Sequence, residues 1–255
     1  MYYVINIILL IVLGLVVGSF NNVCIYRLPR KESIVYPASH CPYCNTRIST
    51  KDNIPLLSYF LLKGRCRNCK NKISLQYPVV EFLNAIIYLL LYLKYGFRVQ
   101  TLVYMALSSA LIIIAFIDFK EEIIPNEISL PGIVIGLMIS FLVKHISVWD
   151  SALGIVTGGG AILFIALIGE WLFKKEAMGG GDIKLAAMIG AFLGWRYTSL
   201  SLFFGYLLGA LTGIVLIILK MKNRGETIPF GPFIVAGSLI AILIGDKILF
   251  WYLGG

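Results

Sequence analysis

Long apolar runs govern what this 255-residue chain can fold into. Inside a hydrocarbon core ~30 Å thick, each backbone N–H and C=O must find its partner within the protein, so only α-helices or closed barrels cross. The strict alternation of barrel strands is absent, and runs of about twenty residues read as helical spans. Composition agrees, with 59% of residues hydrophobic and 14% charged, where a soluble domain carries roughly 25% charged residues. The mean hydropathy is +0.88. The expected fold class is therefore an all-α polytopic membrane protein with about eight transmembrane helices, at residues 2–20, 79–95, 102–117, 128–143, 151–173, 185–194, 199–219 and 232–253. The first run lacks a basic leading region and a small-residue cleavage site, so it reads as a retained helix and not a signal peptide. Residues 185–194 rise only ~15 Å, too little for a full crossing, so this segment extends into its flanks or lies buried among neighbours.

Charge orients the spans. With alternating crossings, Lys94, Arg98, Lys144, Arg196 and Lys247 fall on one side, and the other seventeen of the 22 Lys and Arg residues fall on the opposite side. The positive-inside rule makes the rich side cytosolic and puts both termini outside the cytosol. The net charge of +9 then reflects topology and attraction to anionic membrane lipids, and no nucleic-acid partner is expected.

The expected domains are a first transmembrane helix at 1–20, a cytosolic metal-binding segment at 21–78 and a transmembrane domain at 79–255. Segment 21–78 holds all five cysteines, four of them in two C-x-x-C pairs. It is too small for a large core and needs a metal or disulfides to hold a shape. It also contains an internal repeat: Cys41-Pro-Tyr-Cys44-Asn-Thr-Arg-Ile-Ser49 matches Cys66-Arg-Asn-Cys69-Lys-Asn-Lys-Ile-Ser74. Two such knuckles, each supplying two thiolates from a tight turn, are the way a chain presents four sulfurs to structural Zn2+. The competing reading is two disulfides, disfavoured because cytosolic thiols stay reduced. Cys24, His40 and His145 carry no further signal.

Two carboxylates stand where apolar runs meet polar sequence. Asp118 ends the run Leu111–Ile117, and Asp182 follows Gly179, Gly180 and Gly181. A carboxylate at membrane depth is costly and is seldom kept without a use. The simpler readings are a helix end at headgroup level for Asp118 and an N-cap for a helix beginning at Ile183 for Asp182. Against them, three glycines permit positive φ and let another backbone approach the acid, which an N-cap does not need. Alternating topology puts both acids on the cytosolic side, where a pair sharing a proton can act as base and acid.

The combination of Asp118, Pro125 and Asn126 with Gly179-Gly180-Gly181-Asp182-Ile183-Lys184-Leu185 resembles the signature of type IV prepilin peptidases, which are GxGD aspartic proteases. Gly18-Ser19-Phe20-Asn21-Asn22-Val23-Cys24-Ile25-Tyr26-Arg27-Leu28-Pro29, the two CxxC knuckles, Gln76-Tyr77-Pro78 and Glu81 fit the same family, in order along the whole chain. Asn126 departs from it, since many members have aspartate there.

The resemblance implies a bifunctional enzyme of the bacterial cytoplasmic membrane. Such enzymes cut the basic leader from prepilins and pseudopilins on the cytosolic side, then methylate the new N-terminus using S-adenosylmethionine. It also implies Asp118 and Asp182 as catalytic residues, and Cys41, Cys44, Cys66 and Cys69 as metal ligands in a segment associated with methyl transfer. No glycine-rich loop of the usual nucleotide-binding kind follows a strand, so the methyl-donor site is not legible. Glu81 is one candidate for it, against the simpler reading of an interfacial acid paired with a nearby Lys or Arg, and Glu170 is another acid that could lie near the cytosolic end of its span. Two rival readings share some features: a GxGD intramembrane protease of another substrate class, and an ion- or proton-coupled transporter with a zinc-stabilised segment. The first lacks the double knuckle, and the second favours acids at the midplane.

Overall fold

A computed structural model describes residues 2–143, 146–174, 179–221 and 228–253. Lys144, Lys175, Lys222 and Arg224, which entered the charge reading, lie outside them, as does His145. Eight α-helices follow in order: α1 (Tyr2–Arg27), α2 (Leu57–Leu61), α3 (Gln76–Tyr95), α4 (Val99–Glu121), α5 (Asn126–Leu142), α6 (Val148–Phe173), α7 (Gly180–Ile218) and α8 (Gly231–Leu253). Among the described residues there are no strands, only two isolated β-bridges. The helices α1, α3, α4, α6, α7 and α8 are long and apolar enough to cross a membrane, while α5 is apolar but only 17 residues long.

Contacts divide the chain into two compact units, residues 1–113 and 114–255. In the first, α1 turns its large side chains outward: Val4, Ile5, Ile8, Leu9, Val12, Leu13 and Val16 are exposed. Its small residues face α3, since a Cβ on Gly14 would lie 2.6 Å from the Ala85 Cα and one on Gly18 2.7 Å from the Glu81 Cα. Small residues at this spacing let helix backbones meet where lipid supplies no hydrophobic drive. A buried polar ladder runs along the same seam. Asn84 donates to the Gly14 carbonyl at 2.8 Å, and its own side-chain oxygen accepts from Asn21 at 3.2 Å and Ser109 at 3.0 Å.

In the second unit, α7 is two helical stretches joined at Gly194, whose φ of 74° only glycine adopts freely. The chain reverses there. A Cβ on Gly158 of α6 would touch both Ala186 and Thr198, twelve residues apart, and one on Gly154 would touch both Gly190 and Gly194. In a straight helix Ala186 and Thr198 stand ~18 Å apart. The two expected spans 185–194 and 199–219 are therefore the arms of this hairpin. The first arm extends back to Gly180, which accounts for its apparent shortness in the sequence.

The hairpin packs through small residues on three sides. A Cβ on Gly190 would come within 2.0 Å of the Gly154 carbonyl oxygen, Gly136 of α5 meets Ala191 and Phe192, and Gly237 of α8 meets the Ser201 carbonyl. Trp149 and Trp171 near the two ends of α6 are both exposed. They stand ~33 Å apart along the axis, which suits interfacial anchors on either side of a bilayer.

Candidate active site and metal centre

The two knuckles of the first unit fold alike, bond for bond. In the first, the Cys41 amide donates to the Thr46 carbonyl at 3.0 Å, Asn45 to Cys41 at 2.9 Å and Ile48 to Ser39 at 2.9 Å. Twenty-five residues on, Cys66 donates to Asn71 at 2.9 Å, Lys70 to Cys66 at 3.1 Å and Ile73 to Gly64 at 2.8 Å. The β-bridges His40–Arg47 and Arg65–Lys72 repeat as well, as do the positive φ values at Asn45 and Lys70. Across the repeat, Arg67 holds Asp52 through two hydrogen bonds of 2.8 and 2.7 Å, and Asn68 donates to Thr46 at 2.9 Å.

These turns bring four sulfurs to one point. The Sγ atoms of Cys41, Cys44, Cys66 and Cys69 all lie within 4.8 Å of one another, and all four cysteines are free of disulfides. Cys41 and Cys69 are 3.8 Å apart. That is about the edge of a tetrahedron with ~2.3 Å zinc–sulfur arms, and far beyond the ~2.05 Å of a disulfide. Donors prepare part of the set for a cation. The hydroxyl and then the amide of Thr46 bring Cys44 down to about 6. The amides of Cys69 and Asn68 lower Cys66. At Cys69 the Asn71 amide acts downward, but burial and the neighbouring sulfurs outweigh it and push the thiol up to about 11. Four adjacent thiols do not all ionise unaided; a bound cation removes that conflict. The residues present fit a four-cysteine metal site.

Glu81 is buried at the start of α3, and its Oε2 accepts the Leu56 amide at 2.8 Å. It makes no ion pair among the described residues, so the expected interfacial partner, a Lys or Arg, is replaced by backbone. Nearby, Asn22 donates to the Tyr77 carbonyl at 3.0 Å, and Arg27 at the end of α1 clasps the carbonyls of Ser33 and Pro37. The motif around Gly18–Pro29 thus ties the first helix to the segment that carries the knuckles.

In the second unit, Asp118 and Asp182 are 5% and 8% exposed. The chain after Asp118 lies against the chain before Asp182: a Cβ on Gly181 would meet the Ile124 side chain at 3.0 Å, and the Lys184 ammonium donates to Asn126 at 2.8 Å. The two acids are close enough for one charge to act on the other. Asn126, the departure from the family pattern, accepts from Lys184 and so ties the start of α5 to α7.

The glycines correct the earlier reading. None of Gly179, Gly180 and Gly181 has positive φ; Gly179 is the N-cap at φ −71°, and Asp182 is the third residue of α7, not its cap. What the glycines provide is space. Gly181 admits Ile124, whereas a Cβ on Gly180 would meet nothing within 4 Å among the described residues, which leaves its backbone open to them two residues from the acid.

A third strand of the site comes from residues the sequence did not single out. The Gly231 amide, at the start of α8, donates to Asp118 Oδ2 at 2.9 Å. That bond occupies a lone pair of Oδ2 and favours any proton shared by the two acids on another of their oxygens. The turn Ile228-Pro229-Phe230-Gly231-Pro232, at the mouth of the last helix on the side predicted for the acids, was the available signal. A cavity of ≈ 720 Å3 lined by Ser140, Asp150, Gly194 and Tyr197 lies elsewhere, at the opposite end of the hairpin. That is ~18 Å along the helix from Asp182, so it does not belong to the acid pair.

Together these features define a multi-pass helical membrane protein with a paired-carboxylate site and a four-cysteine metal site. The N-terminal domain of bacterial peptidase A24 matches residues 12–95, and the type IV leader peptidase family matches residues 105–214. Similar proteins include the prepilin leader peptidase/N-methyltransferases of Pseudomonas putida (36% identical over 93% of this chain and 90% of that protein) and Aeromonas hydrophila (35% over 96% and 93%). The enzyme of the same description from Legionella pneumophila is 35% identical over 94% of this chain and 92% of its own length. No solved structure matches. The chain belongs to the type IV leader peptidase family, as a multi-pass enzyme of the inner membrane.

Proposed function

We propose that this enzyme cuts the leader from type IV prepilins or pseudopilins with Asp118 and Asp182, and then N-methylates the new terminus. The observation that carries the reading is the meeting of two buried carboxylates beside open backbone at Gly180, with Asp118 fixed by the Gly231 amide. The ionised acid takes a proton from water as the water oxygen bonds to the scissile carbonyl carbon, and the protonated acid gives its proton to the carbonyl oxygen. On collapse the C–N bond breaks, the leaving amine takes the proton held by one acid, and a hydroxyl of the tetrahedral centre gives its proton to the other, so the pair stays singly protonated. The leader keeps the new carboxylate. The substrate's apolar helix lies in the bilayer, and its basic leader lies in the cytosol with the acids and the knuckles, as the charge distribution predicts.

The four cysteines hold structural Zn2+, since four thiolates leave no open position for water. In this reading residues 21–78 serve methyl transfer and residues 79–255 form the peptidase. S-adenosylmethionine supplies the methyl group when bound, and Glu81 orients the amine. Asp118→Asn and Asp182→Asn, tested in purified full-length enzyme, each abolish leader cleavage and leave methylation of a precleaved substrate intact. Cleavage at the normal rate by either variant refutes the pair.

A further inference from the structure

The wall of the acid site contains a buried hydroxyl with no assigned task. The Tyr206 oxygen is sealed from solvent and has no hydrogen-bond partner among the described residues. A buried hydroxyl is normally satisfied, and leaving one orphaned costs free energy. Its ring packs on Phe230, with centroids 4.9 Å apart and planes at 32°. Phe230 immediately precedes Gly231, whose amide grips Asp118 at 2.9 Å. A second line of geometry leads to the other acid. The contacts of Gly158 set residue 186 beside residue 198 across the α7 hairpin. The same register puts Asp182 level with residue 202, one helical turn (~5.4 Å) from Tyr206. The hydroxyl is near enough to Asp182 to feel its charge.

We infer that Tyr206 is a further catalytic residue of the peptidase, donating its O–H to the substrate carbonyl oxygen as that oxygen gains charge. This rests on the acid-pair reading above and adds a third polar group to it. Tyr206 keeps its proton throughout. The carbonyl oxygen receives the shared proton of the acid pair, and the phenol contributes only a hydrogen bond that strengthens as the tetrahedral centre forms. A donor aimed at developing charge in a dry site acts on the transition state more than on the bound substrate. A hydroxyl that no described protein group holds keeps its donor available for that oxygen.

The test compares Tyr206→Phe with wild type in the full-length enzyme, using a synthetic prepilin peptide. Phenylalanine keeps the ring on Phe230 and removes only the hydroxyl. The expected result is a kcat lower by ~10²-fold with KM within about twofold. Affinity for a substrate analogue carrying a secondary alcohol in place of the scissile amide falls in the same proportion, while methylation of precleaved peptide stays unchanged. A kcat within twofold of wild type overturns the assignment, as does a parallel loss of methylation and thermal stability, which marks a packing role. Asp118→Asn, run alongside, keeps the two readings apart: if that variant still cuts, the acid pair fails whatever Tyr206 does.

Discussion

Replacing Gly231 with alanine isolates the grip of α8 on Asp118. The added Cβ would lie 2.6 Å from Asp118 Oδ2 and 3.1 Å from its Cγ, where ordinary contact begins near 3.4 Å. The carboxylate must therefore retreat by about 0.8 Å, and the 2.9 Å bond from the Gly231 amide lengthens or breaks. Gly231 does not have positive φ, so alanine suits its backbone and the effect comes from contact alone. Misplacing a reacting group by ~1 Å costs on the order of 10²-fold in rate. Overpacking costs ~1–3 kcal/mol in stability, with the low end expected because a side chain and not backbone gives way. Cleavage of a synthetic prepilin by enzyme in liposomes is the assay, with methylation of precleaved peptide and the unfolding midpoint measured on the same preparation. Gly180→Ala is the matched control: it adds the same methyl where nothing lies within 4 Å. Its expected signature is a raised KM with an unchanged unfolding midpoint. If Gly231→Ala cuts within threefold of wild type, the claim that this contact positions Asp118 is wrong.

Gly190→Leu drives a side chain into the Gly154 carbonyl, against a gap of 2.0 Å at Cβ. It should destabilise the second unit by about 3 kcal/mol or more and abolish cleavage, read by thermal unfolding in detergent. Cys66→Ser removes one of four clustered sulfurs. Bound zinc, measured by elemental analysis, should drop from stoichiometric to a small fraction, and proteolysis within residues 33–75 should accelerate. The Arg67 hydrogen bonds hold the Asp52 carboxyl below its usual range. A depressed carboxylate contributes its stabilisation fully above the unfolded value near pH 4 and loses it as pH falls through the lower folded value. Hydrogen exchange across residues 64–72 should therefore differ between wild type and Asp52→Asn by a constant amount from about pH 5 to 7, and converge only in stronger acid.

Spans and knuckles were legible because each rests on local physics. Bilayer thickness dictates run length, and the C-x-x-C-x-x-[RK]-I-S repeat carries its whole turn within nine residues, down to the hydrogen bonds of Cys41 and Cys66. Asp118 and Asp182 stood out because ionisable groups among apolar residues are costly. Gly231 and Tyr206 did not, since neither an amide nor a single tyrosine among apolar residues is unusual in sequence, and the bond from Gly231 to Asp118 spans 113 positions. Of the two properties expected of the three glycines before Asp182, positive φ is absent, and clearance is what they supply at Gly180 and Gly181. The reversal at Gly194 showed only as an implausibly short segment; its cause is a single φ of 74°.

The Gly231–Asp118 bond also sets a schedule. The first acid is synthesised 64 residues before the second, and the amide that fixes it arrives 113 residues after it, at the threshold of α8. A ribosome-bound chain that has already inserted both acids has no organised peptidase until α8 enters the bilayer. On the proposed reading, proteolytic competence arises only once α8 is in place, and a copy lacking α8 is expected to leave prepilin uncut.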